Sequence, residues 1–202
     1  MYVSKTPAVV KALYSSLVWN MPRNTNHVYL TFDDGPHPQI TQEVLTHLDS
    51  FNAKASFFCI GKNIVANPGI FENLKSAGHS IGNHTYEHEN GWKTANEIYF
   101  DSVNKCQQYT NTDLFRPPYG KITRYQSKQL IPNYKIIMWD VLSGDFDLSI
   151  TQEKCFDNVI KNIQPGSIVV FHDSEKAAEK MLYALPKVLD FIREKGWMCK
   201  GL

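Results

Sequence analysis

Short apolar runs alternate with stretches of helical periodicity along most of the chain. The runs cover residues 28–32, 55–60, 79–83, 113–116, 134–139 and 167–172, with a further one at 197–200. They are rich in β-branched and aromatic residues and are bounded by turn-forming ones, the pattern of buried strands. Between them, apolar positions recur at helical spacing over 39–51, 63–77, 94–109, 122–130, 151–162 and 177–195, with the second stretch broken at Pro68-Gly69. Alternation of strand and helix predicts parallel strands joined by right-handed crossovers. Six or seven such units predict an α/β fold, either a TIM-like barrel of about seven parallel strands or an open doubly wound sheet.

Polar residues collect at one end of these runs. Asp33 and Asp34 follow the first, His84 the third and Arg116 ends the fourth; Trp139 and Asp140 end the fifth and His172 the sixth. A closed α/β barrel brings strand C-termini together on one face. An open sheet spreads them along an edge. Five chemistry-bearing strand ends therefore favour the barrel. Before it, Val9, Leu13 and Leu17 recur at helical spacing. The expectation is an N-terminal amphipathic helical segment, residues 1–26, packed on a catalytic domain of residues 27–202.

Composition narrows the function. A net charge of +1 over 202 residues argues against a nucleic-acid or polyanion binder. A 43% apolar content is ordinary for one globular domain. The four cysteines form no C-x-x-C pair, so a structural zinc site is not expected. No segment is long enough to span a membrane. The apolar stretch from Val9 to Trp19 is interrupted by Lys11 and no small-residue cleavage site follows, which reads as no signal peptide and a cytoplasmic chain.

The sharpest chemical feature is Thr31-Phe32-Asp33-Asp34-Gly35-Pro36, two adjacent carboxylates at a buried strand end. Like charges so placed repel and are costly to desolvate, and a cation resolves the conflict. His84 and His88, in His84-Thr85-Tyr86-Glu87-His88, facing one way over a helical turn, complete with Asp34 a metal triad with an open position. Asp33 is then free to act as a general base toward water. The alternatives are a capping role for Asp33 and a surface histidine pair. The same five residues also spell H-x-x-E-H, an inverted zinc-protease motif, but the flanking Gly82-Asn83 and Asn90-Gly91 leave little room for the helix it needs. In Phe115-Arg116-Pro117-Pro118-Tyr119-Gly120, Arg116 can pair with a buried carboxylate such as Asp33, or belong to an ordinary surface turn. His172, after Ile168-Val169-Val170-Phe171, is a candidate general acid that Asp140 or Asp145 could orient. A histidine satisfied at the strand edge is the plainer alternative.

Taken in order, these segments resemble the polysaccharide deacetylases of carbohydrate esterase family four, from about residue 27 to 197. The family motif T-F-D-D-G is matched by residues 31–35, H-[ST]-x-x-H by 84–88, and R-x-P-Y by 116–119. The resemblance implies a distorted (β/α) barrel and a metal-dependent hydrolase removing acetyl groups from N-acetylated sugars of chitooligosaccharide or peptidoglycan. It implies Asp34, His84 and His88 as ligands of zinc, with cobalt or nickel also acceptable to the site. Asp33 is implied as base, Arg116 as its partner, the Tyr119 amide as an oxyanion donor, His172 as acid and Asp145 as its tuning group. An apolar acetyl pocket would include Phe146, Val170 and Pro118. Two positions depart from the pattern: Phe146 replaces a family tryptophan and Val170 a family leucine, which bears on substrate choice rather than chemistry. Relatives of this kind act at the cell envelope or outside the cell. The competing expectations are an O-acetyl esterase on xylan-like glycans and a non-catalytic glycan-binding barrel.

Overall fold

The computed structural model describes residues 3–202. The first strand, β1 (His27–Asp33), is an interior strand of the sheet. It is followed by α2 (Ile40–Ser50), α1 (Ala8–Leu13) having preceded it. Then come β2 (Ser56–Cys59), α3 (Gly61–Ala66), α4 (Pro68–Ser76), β3 (Ser80–Asn83) and α5 (Asn96–Thr110). The chain continues through β4 (Leu114–Phe115), α6 (Arg124–Leu130), β5 (Lys135–Ile136), β6 (Val141–Leu142), α7 (Gln152–Ile160), β7 (Ile168–His172), α8 (Glu175–Glu194) and β8 (Met198–Cys199). The expected helix over 63–77 is indeed two, because Pro68 starts a new one where its missing amide costs nothing.

Seven strands lie in the order β5-β4-β3-β2-β1-β7-β6, every pairing parallel, and β8 adds in parallel to the start of β1. The sheet curls with its helices outside, as a distorted (β/α) barrel. Alternation along β1 sorts its side chains between the two faces. Val28, Leu30 and Phe32 join the core beneath the helices, where Phe57, Phe32 and Phe171 stack across β2, β1 and β7 with ring centroids 5.0 and 5.9 Å apart. Tyr29 joins a separate interior cluster with Phe58, Leu114, Ile137 and Ile168. Thr31 and Asp33 share the face of Tyr29, so the same strand that anchors the core delivers a carboxylate to the mouth of the barrel.

The curl is open between β5 and β6, and the N-terminal segment spans the opening. The Val18 N–H donates to Ile136 O at 2.9 Å, and Val18 O accepts from the Met138 N–H at 2.7 Å. The Thr6 N–H donates to Asp140 O at 3.0 Å, and Ser4 O accepts from the Leu142 N–H at 2.9 Å. This segment is not the expected amphipathic helix. The helix α1 has six residues and buries none of them; Val9 and Leu13 are exposed, and Leu17 alone reaches the core. Backbone pairing to an open strand edge, rather than an apolar helical stripe, fixes the segment, so the spacing of its three apolar residues was coincidental. Residues 1 and 2 of the expected segment lie outside the described residues. Among the described residues no helix is long and apolar enough to cross a membrane.

Candidate active site

At the C-terminal mouth of the barrel, Asp33 and Arg116 form a buried pair. Arg116 Nη1 donates to Asp33 Oδ1 at 2.6 Å and to Thr31 Oγ1 at 2.7 Å. Its Nε and Nη2 donate to the carbonyls of Ile137 and Met138, both at 3.1 Å. The guanidinium also lies over the Phe58 ring, 4.1 Å from its centroid. Arg116 is fully buried with most of its donors used, the condition under which a buried cation is tolerable. The surface-turn alternative for this residue is thereby removed.

Asp34, His84 and His88 converge beside this pair, and their potential ligand atoms all lie within 4.8 Å of one another. His84 follows β3. Its Nδ1 is 2.7 Å from Arg116 O. A carbonyl only accepts, so Nδ1 carries the proton and Nε2 offers its lone pair. Burial pulls the His84 pKa down to about 4, which keeps the ring neutral, the form that binds a metal. Asp34 Oδ1 is buried and makes no hydrogen bond, although His88 Nε2 is 3.2 Å away and His84 Nε2 3.7 Å. Burial alone would raise the Asp34 carboxyl, but His88, His172 and His84 hold it well below the usual carboxylate range. An ionised, unsatisfied oxygen facing two imidazole nitrogens is what a divalent cation would satisfy, so the residues fit the metal their types suggest.

The histidines do not share a helical turn. His88 sits in a loop, and among the described residues four of the six non-glycine ones with left-handed φ (Asp34 at 84°, Thr85 at 62°, His88 at 66° and Tyr119 at 60°) belong to this mouth. Such backbone is costly and persists where the surroundings enforce it. Here Asn83 Oδ1 accepts from the Thr85 N–H at 2.9 Å, while Asn63 Nδ2 donates to Asp34 O at 2.7 Å. The loop geometry also disposes of the protease alternative. Glu87 is solvent-exposed and paired with Lys62 Nζ at 3.1 Å, and it is absent from the cleft lining.

His172 ends β7, in register with Asp33 on the neighbouring β1. Asp145, fully buried, grips it twice: Oδ2 accepts the His172 N–H at 2.7 Å, and Oδ1 is 2.8 Å from Nδ1. Burial disfavours the imidazolium, but Asp145 outweighs it, with help from Asp34 and Asp33, and lifts the His172 pKa to about 10. Asp140 takes no part in this. Its carboxylate is instead surrounded by Lys5, Lys11 and Arg23 of the N-terminal segment and by Ser167 just before β7. Only the two-residue β6 and a short loop separate the two acids, so no periodicity separated their roles.

Asp33, Asp34, His84, His88 and His172 line a cleft of about 530 Å³, closed by Tyr119, Trp139, Leu142, Phe146, Val170 and Lys176. Phe146 and Val170 are where expected; the Phe146 ring meets His172 edge-on at 5.3 Å between centroids. Pro118 does not line the cleft. It is buried at the start of a 3-10 turn over Pro118–Gly120 that presents Tyr119 instead, with the Tyr119 ring 4.6 Å from that of His88. Leu142 and Trp139 were missed as pocket walls. The run 134–139 flagged the tryptophan, but the two-residue β6 that carries Leu142 is too short to show a period.

A barrel mouth that gathers a candidate metal-ligand set, a paired carboxylate and an acid-held imidazole has the layout of a hydrolase. Residues 20–131 match the family model for polysaccharide deacetylase, and the chain belongs to that family. It is 33% identical over 183 residues to a peptidoglycan-N-acetylglucosamine deacetylase of Bacillus cereus, covering 87% of this chain and 66% of the relative. A chitooligosaccharide deacetylase of Azorhizobium caulinodans is 33% identical over 162 residues, 75% of each chain. The chain spans 37% of a related Listeria monocytogenes deacetylase, at 29% identity. Among solved structures, a peptidoglycan N-acetylglucosamine deacetylase in complex with 4-naphthalen-1-yl-N-oxidanyl-benzamide superposes with a TM-score of 0.89 at 31% identity, covering 98% of this chain and 95% of that one. A family pseudoenzyme from Bacillus anthracis, at 22% identity, shares the fold.

Proposed function

We propose that this chain is a polysaccharide N-deacetylase, hydrolysing the acetamido group of sugars in a peptidoglycan- or chitooligosaccharide-type glycan. Zinc is the cation we assign to Asp34, His84 and His88, a donor set that also suits cobalt and nickel. The observation that carries the reading is one Arg-paired carboxylate and one acid-held imidazole gathered beside a triad whose Asp34 Oδ1 is unsatisfied. When bound, the cation supplies Lewis acidity that polarises the acetyl carbonyl and acidifies water.

The chain's own groups do the proton work. Asp33, held by Arg116, is the base that takes a proton from the attacking water. The Tyr119 amide is the donor for the oxyanion that develops as the carbonyl carbon becomes tetrahedral. His172, as imidazolium, gives its proton to the departing amine nitrogen, and acetate and a free amino sugar result. An amine is a poor leaving group without that proton, whereas an alcohol is less demanding. A histidine lifted to about 10 by Asp145 therefore favours amide over ester cleavage. This supports N-deacetylation over the O-acetyl esterase reading. The presence of every ionisable group supports turnover over a non-catalytic glycan-binding barrel. Phe146 and Val170 keep the wall apolar, which suits the acetyl methyl.

The test is acetate release from acetylated chitooligosaccharides and peptidoglycan fragments beside acetylated xylan. The reading expects the first two to be hydrolysed faster; xylan as the sole substrate would overturn it. Asp145 gives a pH prediction. Activity needs His172 protonated, so rate falls as pH rises through its pKa. Asp145→Asn removes the anion that raises this pKa, so the alkaline limb of the rate profile should move to lower pH. An unmoved limb would remove His172 as the acid.

A further inference from the structure

Asp173 follows His172, is 1% exposed, and takes no part in the chemistry described above. Its contacts lead to the loop that carries both reactive aspartates. The Asp173 N–H donates to Asp33 O at 3.1 Å. Its Oδ1 accepts from the Gly35 N–H at 3.0 Å. Its Oδ2 is 2.5 Å from Thr41 Oγ1, which in turn accepts from the His37 N–H at 2.7 Å. One residue just past the end of β7 therefore holds the chain on both sides of Asp34, and through Thr41 it reaches the start of α2.

The approach is too close for a side chain at the loop. A Cβ on Gly35 would stand 2.1 Å from Asp173 Oδ2. The glycine thus lets backbone and carboxylate meet, and the meeting is what Asp34 needs. Asp34 has φ of 84°, a conformation an aspartate leaves readily when nothing holds it. In that conformation its carboxylate faces the imidazoles of His84 and His88.

We propose that Asp173 is a positioning residue for the metal site: its carboxylate, braced by Thr41, pins Gly35 and so keeps Asp34 in the left-handed conformation that completes the ligand set. The proposal rests on the metal reading of that site. Groups that orient a ligand without touching the metal typically change affinity or activity by roughly 10–100-fold when removed.

The experiment measures zinc affinity by competition with a chromophoric chelator for the wild type, Asp173→Ala, Asp173→Asn and Thr41→Val. Hydrogen exchange of residues 33–37 is followed in the metal-free proteins. Asp173→Ala should bind zinc at least tenfold more weakly and exchange faster over 33–37. Thr41→Val should show the same two effects in weaker form. Asp173→Asn, whose amide oxygen can still accept from Gly35, should recover most of the affinity lost in the alanine variant. A carboxylate serving stability alone would lower the melting temperature and leave zinc affinity unchanged, and that result in a folded Asp173→Ala overturns the proposal. If Asp173→Ala does not fold, wild-type affinity in Thr41→Val overturns it. A wild type that binds neither zinc, cobalt nor nickel overturns the metal reading instead. Exchange over 33–37 then decides for Asp173 separately, and unaltered exchange in Asp173→Ala removes it.

Discussion

Arg116→Met should destabilise the protein by about 3–5 kcal/mol, the cost of leaving one partner of a buried ion pair uncompensated. Arg116 and Asp33 are 0% and 4% exposed, so water cannot take over the guanidinium's role. Four hydrogen bonds, the one to Thr31 among them, are lost at once, and with them the contact over Phe58. Asp33 also loses the guanidinium that orients it, so activity should vanish. The double variant Asp33→Asn/Arg116→Met removes the stranded charge. It should regain much of the stability and none of the activity. Urea unfolding of the two variants and the wild type checks this. A single variant as stable as the wild type would show that the pair does not carry the charge balance of the barrel mouth.

His172→Ala should lower amide hydrolysis by roughly 10²–10⁴-fold, the usual worth of general acid–base catalysis. The loss should be smaller for an acetyl ester of the same sugar, because an alcohol leaves with less help. Stability should fall as well, because fully buried Asp145 loses its charged partner, so rates are compared on protein shown to be folded. The measurement is kcat on matched amide and ester substrates. Equal loss on both would assign His172 to positioning or to oxyanion stabilisation instead of proton delivery.

Much of this arrangement was legible because strand alternation and strand ends constrain it. The run Val28 to Phe32 is buried on both faces, so the residues just beyond it had to emerge at a rim, and Asp33 and Asp34 do. The same reasoning placed His84, Arg116 and His172 at that rim. Loop conformation was not legible. His88 reaches the site through left-handed backbone at Thr85 and at itself, which no period encodes, so a helical turn seemed adequate. Pro118 looked like a wall because the motif ends in Tyr119, yet the 3-10 turn folds the proline under and lifts the tyrosine. Asp140 and Asp145 could not be told apart, since the cations that claim Asp140 come from residues 5 to 23, more than a hundred positions away. Asp173 left a signal that was available: a charged residue directly after a buried strand, with a glycine across from it at the neighbouring strand end.

The central claim is that Asp34, His84 and His88 hold a cation without which acetyl groups are not released. The most direct measurement compares acetate release from acetylated chitooligosaccharides by protein stripped with a chelator and by the same protein with zinc restored. The account predicts that stripped protein is inactive and that about one equivalent of zinc restores the rate, with cobalt or nickel able to substitute. Acetate released at the full rate by the stripped protein would contradict it.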